Sequence, residues 1–252
     1  MAVVLVAALL SGVLQAHSDP NVRVYSVTKG DRVDVVVKLT HVTEVTVSLS
    51  TTLRNMKARS AGAFTVDVEG EGEHKVMTLT PIDPSAAWHY DWHEEYWLGH
   101  RLKTSPKKCV YKYPFKVGVL SQGPHGSYSH QLGGQDAEAY DWTMPIGSPV
   151  LAARPGKVIA VREESNRGGA NLAEFKTDAN YVVIRHDDGT FAEYDHLKKG
   201  GVLVRLGAKV SLGQKIGLSG GTGHVTMPHL HFAVYYPIDG KIRKTLPITF
   251  AR

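Results

Sequence analysis

Apolar and polar residues alternate through the first third of the chain. Arg23-Val24-Tyr25-Ser26-Val27, Asp34-Val35-Val36-Val37-Lys38-Leu39, Val45-Thr46-Val47-Ser48-Leu49 and Lys75-Val76-Met77-Thr78-Leu79 are short runs rich in β-branched residues. That pattern predicts strands, and Gly30-Asp31 and Gly70-Glu71-Gly72 supply turns between them. Strands this short and this closely spaced predict a small antiparallel β-sandwich-like module. A second series begins at Val150: Val150–Ala153, Lys157–Val161, Tyr181–His186, Phe191–His196 and His229–Val234, with Gly or Asp in most of the connections. No long amphipathic helix shows in the pattern, so this half is also predicted to be all-β.

Between the two series, Pro81–Pro106 holds Trp88, Trp92 and Trp97, three of the four tryptophans, with Tyr90, Tyr96, His89, His93 and His100. These aromatics are expected to pack the halves together. His93-Glu94 suggests the helical zinc motif HExxH, but position 97 is Trp97, so the second imidazole is missing. Ser105-Pro106 and Tyr113-Pro114 mark a boundary, which predicts a β-rich accessory domain over residues 17–110 and a second domain over 111–252.

Composition narrows the setting. With 252 residues and 42% apolar content, the chain is long enough to bury a core in one large or two small domains. The formal net charge of +5 favours anionic surfaces. The Lys and Arg are scattered rather than gathered in a basic run, so nucleic acid is not expected as partner, and an anionic cell wall suits the charge equally well. Ala2–Leu14 is an uncharged apolar run followed by Gln15-Ala16-His17. It is shorter than the ~20 residues that span a bilayer, so it is read as the core of a signal peptide over residues 1–16, with no stable membrane insertion. No Lys or Arg precedes the run. The single cysteine, Cys109, rules out an internal disulfide.

The chemistry concentrates in the second half. In a strand, residues two apart share a face, so His229 and His231 of His229-Leu230-His231 project together while Leu230 and Phe232 turn to a core. His130 and Asp141 precede this pair and His196 lies between, in Tyr194-Asp195-His196-Leu197. Two imidazoles and a carboxylate form an N,N,O set that binds zinc and leaves a fourth position open.

From about Gly123 to Val234 the sequence resembles the lysostaphin-type (LytM-like) zinc metallopeptidases. The resemblance rests on Gly126-Ser127-Tyr128-Ser129-His130, Tyr140-Asp141-Trp142, Met144–Val150, Ala152–Val158, Asn180–Ile184, Tyr194–Leu197, Gly213–Gly217, Ser219–Gly223 and Pro228-His229-Leu230-His231-Phe232, in the family's order. It implies a duplicated-hybrid-motif antiparallel β-sheet catalytic domain with a long groove. It implies one zinc held by His130, Asp141 and His231, and His196 and His229 as the catalytic pair. The implied reaction is hydrolysis of a peptide bond by metal-activated water, with peptidoglycan stem peptides or cross-bridges as substrate.

The sequence departs from the family at several points. Ten residues, rather than the commoner three, separate His130 from Asp141, which leaves Asp136 as a rival carboxylate and His125 as a rival imidazole. Gly221 stands where Asn is usual and Met227 where Gly is usual, and His224 is an additional imidazole near the groove. Two other readings stay open: a non-catalytic module that binds cell wall and activates a partner hydrolase, and a secreted protease acting on Gly-rich proteins.

Overall fold

The structure is a computed structural model that describes residues 19–59, 62–116 and 135–251. The expected signal peptide, His125 and His130 lie outside the described residues. Those that are described form an all-β protein whose only α-helix is the single turn Leu172–Phe175.

The first module is a two-sheet sandwich. One antiparallel sheet runs in the order Val22–Lys29, Arg32–Leu39, Gly72–Pro81, Met56–Ala58; the other runs Ala63–Glu69, Glu44–Arg54, His89–Leu98. The period-2 pattern explains the packing: Val33, Val35, Val37 and Leu39 of one sheet are buried, as are Val45, Val47 and Leu49 of the other. Three strands of this module escape the sequence reading: Met56–Ala58, Ala63–Glu69 and, within the aromatic segment, the ten-residue His89–Leu98. Trp88, Tyr90 and Trp92 alternate with polar residues and stack in series, with centroid spacings of 6.0 Å, against the edge of the sandwich core. In the second half, Leu197–Val202 is a strand with an irregular register.

The second module is built on an antiparallel sheet in the order Lys209–Val210, Gly156–Arg162, Tyr181–Arg185, Phe191–Asp195, His229–Pro237, Arg243–Thr245. Tyr140–Thr143 shares the outer edge of the long strand, pairing with its first half while Arg243–Thr245 pairs with its second. A three-stranded sheet, Pro149–Leu151, Lys215–Ser219 and Leu197–Val202, lies beside it.

Both faces of the large sheet are used. Val158, Val182, Ile184, Ala192, Tyr194, Phe232 and Val234 point into the module's own core with Trp142 and Met144. Residues of the opposite parity, Tyr181, Val183, Phe191 and Tyr235, belong to the same cluster as the sandwich valines. The two modules therefore share one continuous core across this face. Val42 bridges Ala160, Glu44 pairs with Arg185 at 2.7 Å, and the Tyr235 hydroxyl donates to the Leu98 carbonyl at 3.0 Å. At Gly240 the backbones meet so closely that a Cβ would lie 2.2 Å from the Ser48 nitrogen and 2.3 Å from the Glu95 oxygen. Only glycine permits that approach.

One buried imidazole sets an acid limit on stability. His186 is 3% exposed; its Nδ1–H donates to the Pro155 carbonyl at 2.8 Å and its Nε2 has no hydrogen-bond partner. Burial, reinforced by the charge of Arg154, pushes its pKa down to about 4 from 6.5, against the opposing effect of the Pro155 bond. The folded state thus keeps the ring neutral where the unfolded chain takes up a proton. The stability tied to that neutral ring is fully present above pH 6.5 and is lost as pH falls towards 4, in all roughly 3 kcal/mol. His186→Asn, which retains a donor near the Nδ1 position, is expected to flatten the stability–pH curve over that window. Denaturant unfolding from pH 4 to 7 checks this, and an unchanged slope refutes it.

Among the described residues, no helix is long and apolar enough to cross a membrane.

Candidate metal centre

The face of the large sheet that receives the sandwich does not end where the sandwich ends. Beyond Phe191 on the same strand, Glu193 and Asp195 continue with the same parity. Strand register then lines up three side chains across three strands: Asp195 opposite His231, and His231 opposite Asp141. His229 lies two residues from His231 on the same face and pairs with Thr143. Tyr194, Phe232 and Tyr140 form the matching row on the other face, and the Tyr194 hydroxyl accepts from the Ala153 amide at 2.8 Å.

His231 Nδ1 and Asp141 Oδ1 are 2.9 Å apart, and His229 Nε2 stands 3.9 Å from the same oxygen. Asp136, the alternative carboxylate, is instead engaged by the Arg243 guanidinium, whose Nε donates to it at 3.0 Å. On the other side of the His231 ring, Nε2 lies 3.4 Å from Glu193 Oε1. Burial opposes charge on His231, but its hydrogen bonds to Asp141 and Glu193 outweigh it and raise the pKa well above the imidazole range. Asp195 is pushed up to about 8, by burial and then by the charge of Glu193. The cluster therefore has a surplus of carboxylates over cations and favours positive charge beside His231.

His196 reaches this face by an unusual route. Alternation would send it to the core side with Tyr194. Instead the backbone turns through a left-handed φ of 63° at His196, a conformation uncommon outside glycine. The ring centroid comes to 4.5 Å from that of His229 and 6.0 Å from that of His231. Its Nδ1–H donates to the Thr222 carbonyl at 2.7 Å; the Nδ1–H of His229 donates likewise to Met227 at 2.9 Å. Asn180 anchors the turn, its amide donating to the carbonyls of Ser165 and Leu197. Burial, with His229 and His231 adding to it, pulls the His196 pKa down to about 3, so the ring is a neutral base.

These residues line a cavity of about 900 Å³ that runs from this face to the sandwich, where Asp19, Tyr96, Trp97 and Leu98 form its wall. His224 lies at its rim, exposed, with Nε2 at 3.1 Å from the Ala170 carbonyl oxygen.

The donor set suits a divalent metal. An ionisable carboxylate and an imidazole nitrogen converge within hydrogen-bond distance in a groove that favours positive charge. Among the described residues, one group of metal-binding atoms gathers within 4.8 Å: Glu193, Asp195 and His231. Glu193 and Asp195 were missed by the sequence reading. The signal was present in Phe191-Ala192-Glu193-Tyr194-Asp195, where two acids alternate with residues that suit a core.

The sequence profile of Peptidase family M23 matches residues 135–243. The chain is 46% identical over 92 residues to the peptidoglycan DD-endopeptidase ShyA of Vibrio cholerae, covering 36% of this chain and 18% of that protein. It is 41% identical over 155 residues to ShyB, another peptidoglycan DD-endopeptidase of that organism, covering 59% of this chain and 33% of the relative. Lysostaphin of Staphylococcus simulans is 37% identical over 109 residues, covering 43% of this chain and 20% of that protein. The chain thus spans a third or less of the length of these relatives. The profile match spans Asp141, His196, His229 and His231, and over residues 135–243 the chain is similar to peptidase family M23.

Proposed function

We propose that this protein is an exported zinc metalloendopeptidase that hydrolyses peptide bonds in peptidoglycan. The observation that carries the reading is the register that sets Asp141 beside His231, with the His196 and His229 rings packed together next to them. His130, Asp141 and His231 are the proposed zinc ligands, and His196 and His229 the proposed catalytic pair. Zinc bound there supplies Lewis acidity, polarising the scissile carbonyl and lowering the pKa of water.

The chain's own contribution is proton handling and positioning. With Nδ1 of both His196 and His229 tied to backbone carbonyls, Nε2 is the basic nitrogen of each ring. One ring takes a proton from the attacking water and, as imidazolium, returns it from Nε2 to the amine nitrogen that leaves as the C–N bond breaks. Thr222 and Met227 hold the rings in those tautomers before substrate arrives. The cavity, walled on one side by the sandwich, accommodates an extended peptide.

The substrate class is supported by the names of the ShyA and ShyB relatives and by the net charge of +5, which suits an anionic wall. Export is supported by the apolar run Ala2–Leu14. The test pairs elemental analysis with chromatography of fragments released from purified peptidoglycan. About one zinc per chain with release of cross-link fragments is expected. Zinc-loaded protein that leaves peptidoglycan intact but cuts Gly-rich protein would replace the substrate; protein that neither binds zinc nor cleaves would end the reading.

A further inference from the structure

The metal-facing ring of His231 is held from behind, and the residues that hold it extend to the sandwich module. Glu193 is 7% exposed, and its Oε2 accepts from Arg243 Nη1 at 2.6 Å. Its other oxygen, Oε1, is buried and faces Nε2 of His231 at 3.4 Å. Arg243, 6% exposed, bonds Asp136 with the far side of its guanidinium. Its flat faces lie between two rings, 4.4 Å from the Trp97 centroid and 4.7 Å from that of Tyr235. Trp97 belongs to the sandwich strand His89–Leu98.

We infer that Glu193 is a positioning residue: its carboxylate accepts the Nε2–H of His231, so that Nδ1, the nitrogen beside Asp141, presents its lone pair to the metal. A ligating imidazole needs its second nitrogen fixed, and a carboxylate there also raises the basicity of the ligand. Arg243 holds Glu193 in place, and Trp97 and Tyr235 hold Arg243 through cation–π contact. The sandwich thus supports the geometry of the metal site through Trp97, in addition to walling the groove. This inference rests on the proposed zinc-peptidase reading.

The test is zinc affinity, read by competition with a chromophoric chelator on metal-stripped full chain, for wild type and Glu193→Gln. The variant is expected to bind one zinc about 10–100-fold more weakly. Far-UV circular dichroism and the unfolding midpoint verify the fold. Because Gln leaves Arg243 as a buried cation, the double variant Glu193→Gln/Arg243→Met removes both charges and is expected to show the same weakening. In zinc-loaded protein, the ¹⁵N shift of the His231 Nε2 is expected to move on Glu193→Gln while those of His229 and His196 do not, a change that a purely structural role would not produce. Wild-type affinity in both folded variants, or unchanged His231 shifts, overturns the proposal. Loss of stoichiometric binding also overturns it, since Glu193 would then be a direct ligand. Wild type that binds no zinc refutes the function itself, and the two failures are thereby distinct.

Discussion

His231→Ala is expected to strip the protein of its zinc and reduce peptidoglycan hydrolysis by roughly 10⁴-fold or more, the order seen when a constellation acting as a unit loses a member. His231 stands at the centre of the row: Asp141 meets its Nδ1 at 2.9 Å and Glu193 faces its Nε2 at 3.4 Å. Its removal leaves the Asp141 and Glu193 carboxylates without the group between them. Unfolding must therefore be measured alongside, by circular dichroism, before activity is interpreted. Elemental analysis and fragment release on the folded variant decide the matter. Retention of one zinc per chain would move the metal to a different donor set, and the Glu193–Asp195 side of the cluster would be the place to look.

His196→Ala has a different expected signature. The ring is a neutral base with its Nδ1–H committed to Thr222, and it is not a proposed metal ligand. The variant is expected to keep its zinc and its KM while kcat falls by about 10²–10⁴-fold, the usual worth of a positioned general base. Equal losses in kcat and kcat/KM would mean that the contact is made in the transition state. Steady-state kinetics on a soluble cross-linked peptide measure the split. Wild-type turnover in this variant would favour the non-catalytic reading, in which binding to the wall and activation of a partner are the whole function.

Much of this site was legible before any coordinates. The HxH spacing puts His229 and His231 on one side of a strand because the pleat repeats every two residues, and no tertiary information is needed for that. The order of the motifs from Gly126 to Phe232 carried the family resemblance and, through it, the expected roles of Asp141 and His196. Glu193 and Asp195 were overlooked although they sit in the same alternating pattern. Two acids on a strand read equally well as a solvated face, and only the pairing of Asp195 with His231 turns that face towards the proposed metal site. His196 shows the opposite case. Its role came from the motif, but alternation from Tyr194 places it on the wrong side of the sheet, and the left-handed turn that corrects this depends on Asn180 and Thr222, residues 16 and 26 positions away.

The residue pattern alone marks the protein as all-β, with an alternating first module and a second that offers a candidate N,N,O donor set and two further imidazoles. It does so because strand periodicity and local motif order are properties of neighbouring residues. The tertiary structure decided what those strands do to one another. Register, set by backbone hydrogen bonds between segments as distant as Tyr140–Thr143 and His229–Phe232, aligned Asp141 with His231. Packing put the sandwich on the same sheet face as the site, so that one apolar cluster joins both modules and Trp97 closes over Arg243. Those contacts are non-local, and they exist only once the two halves bury their shared face.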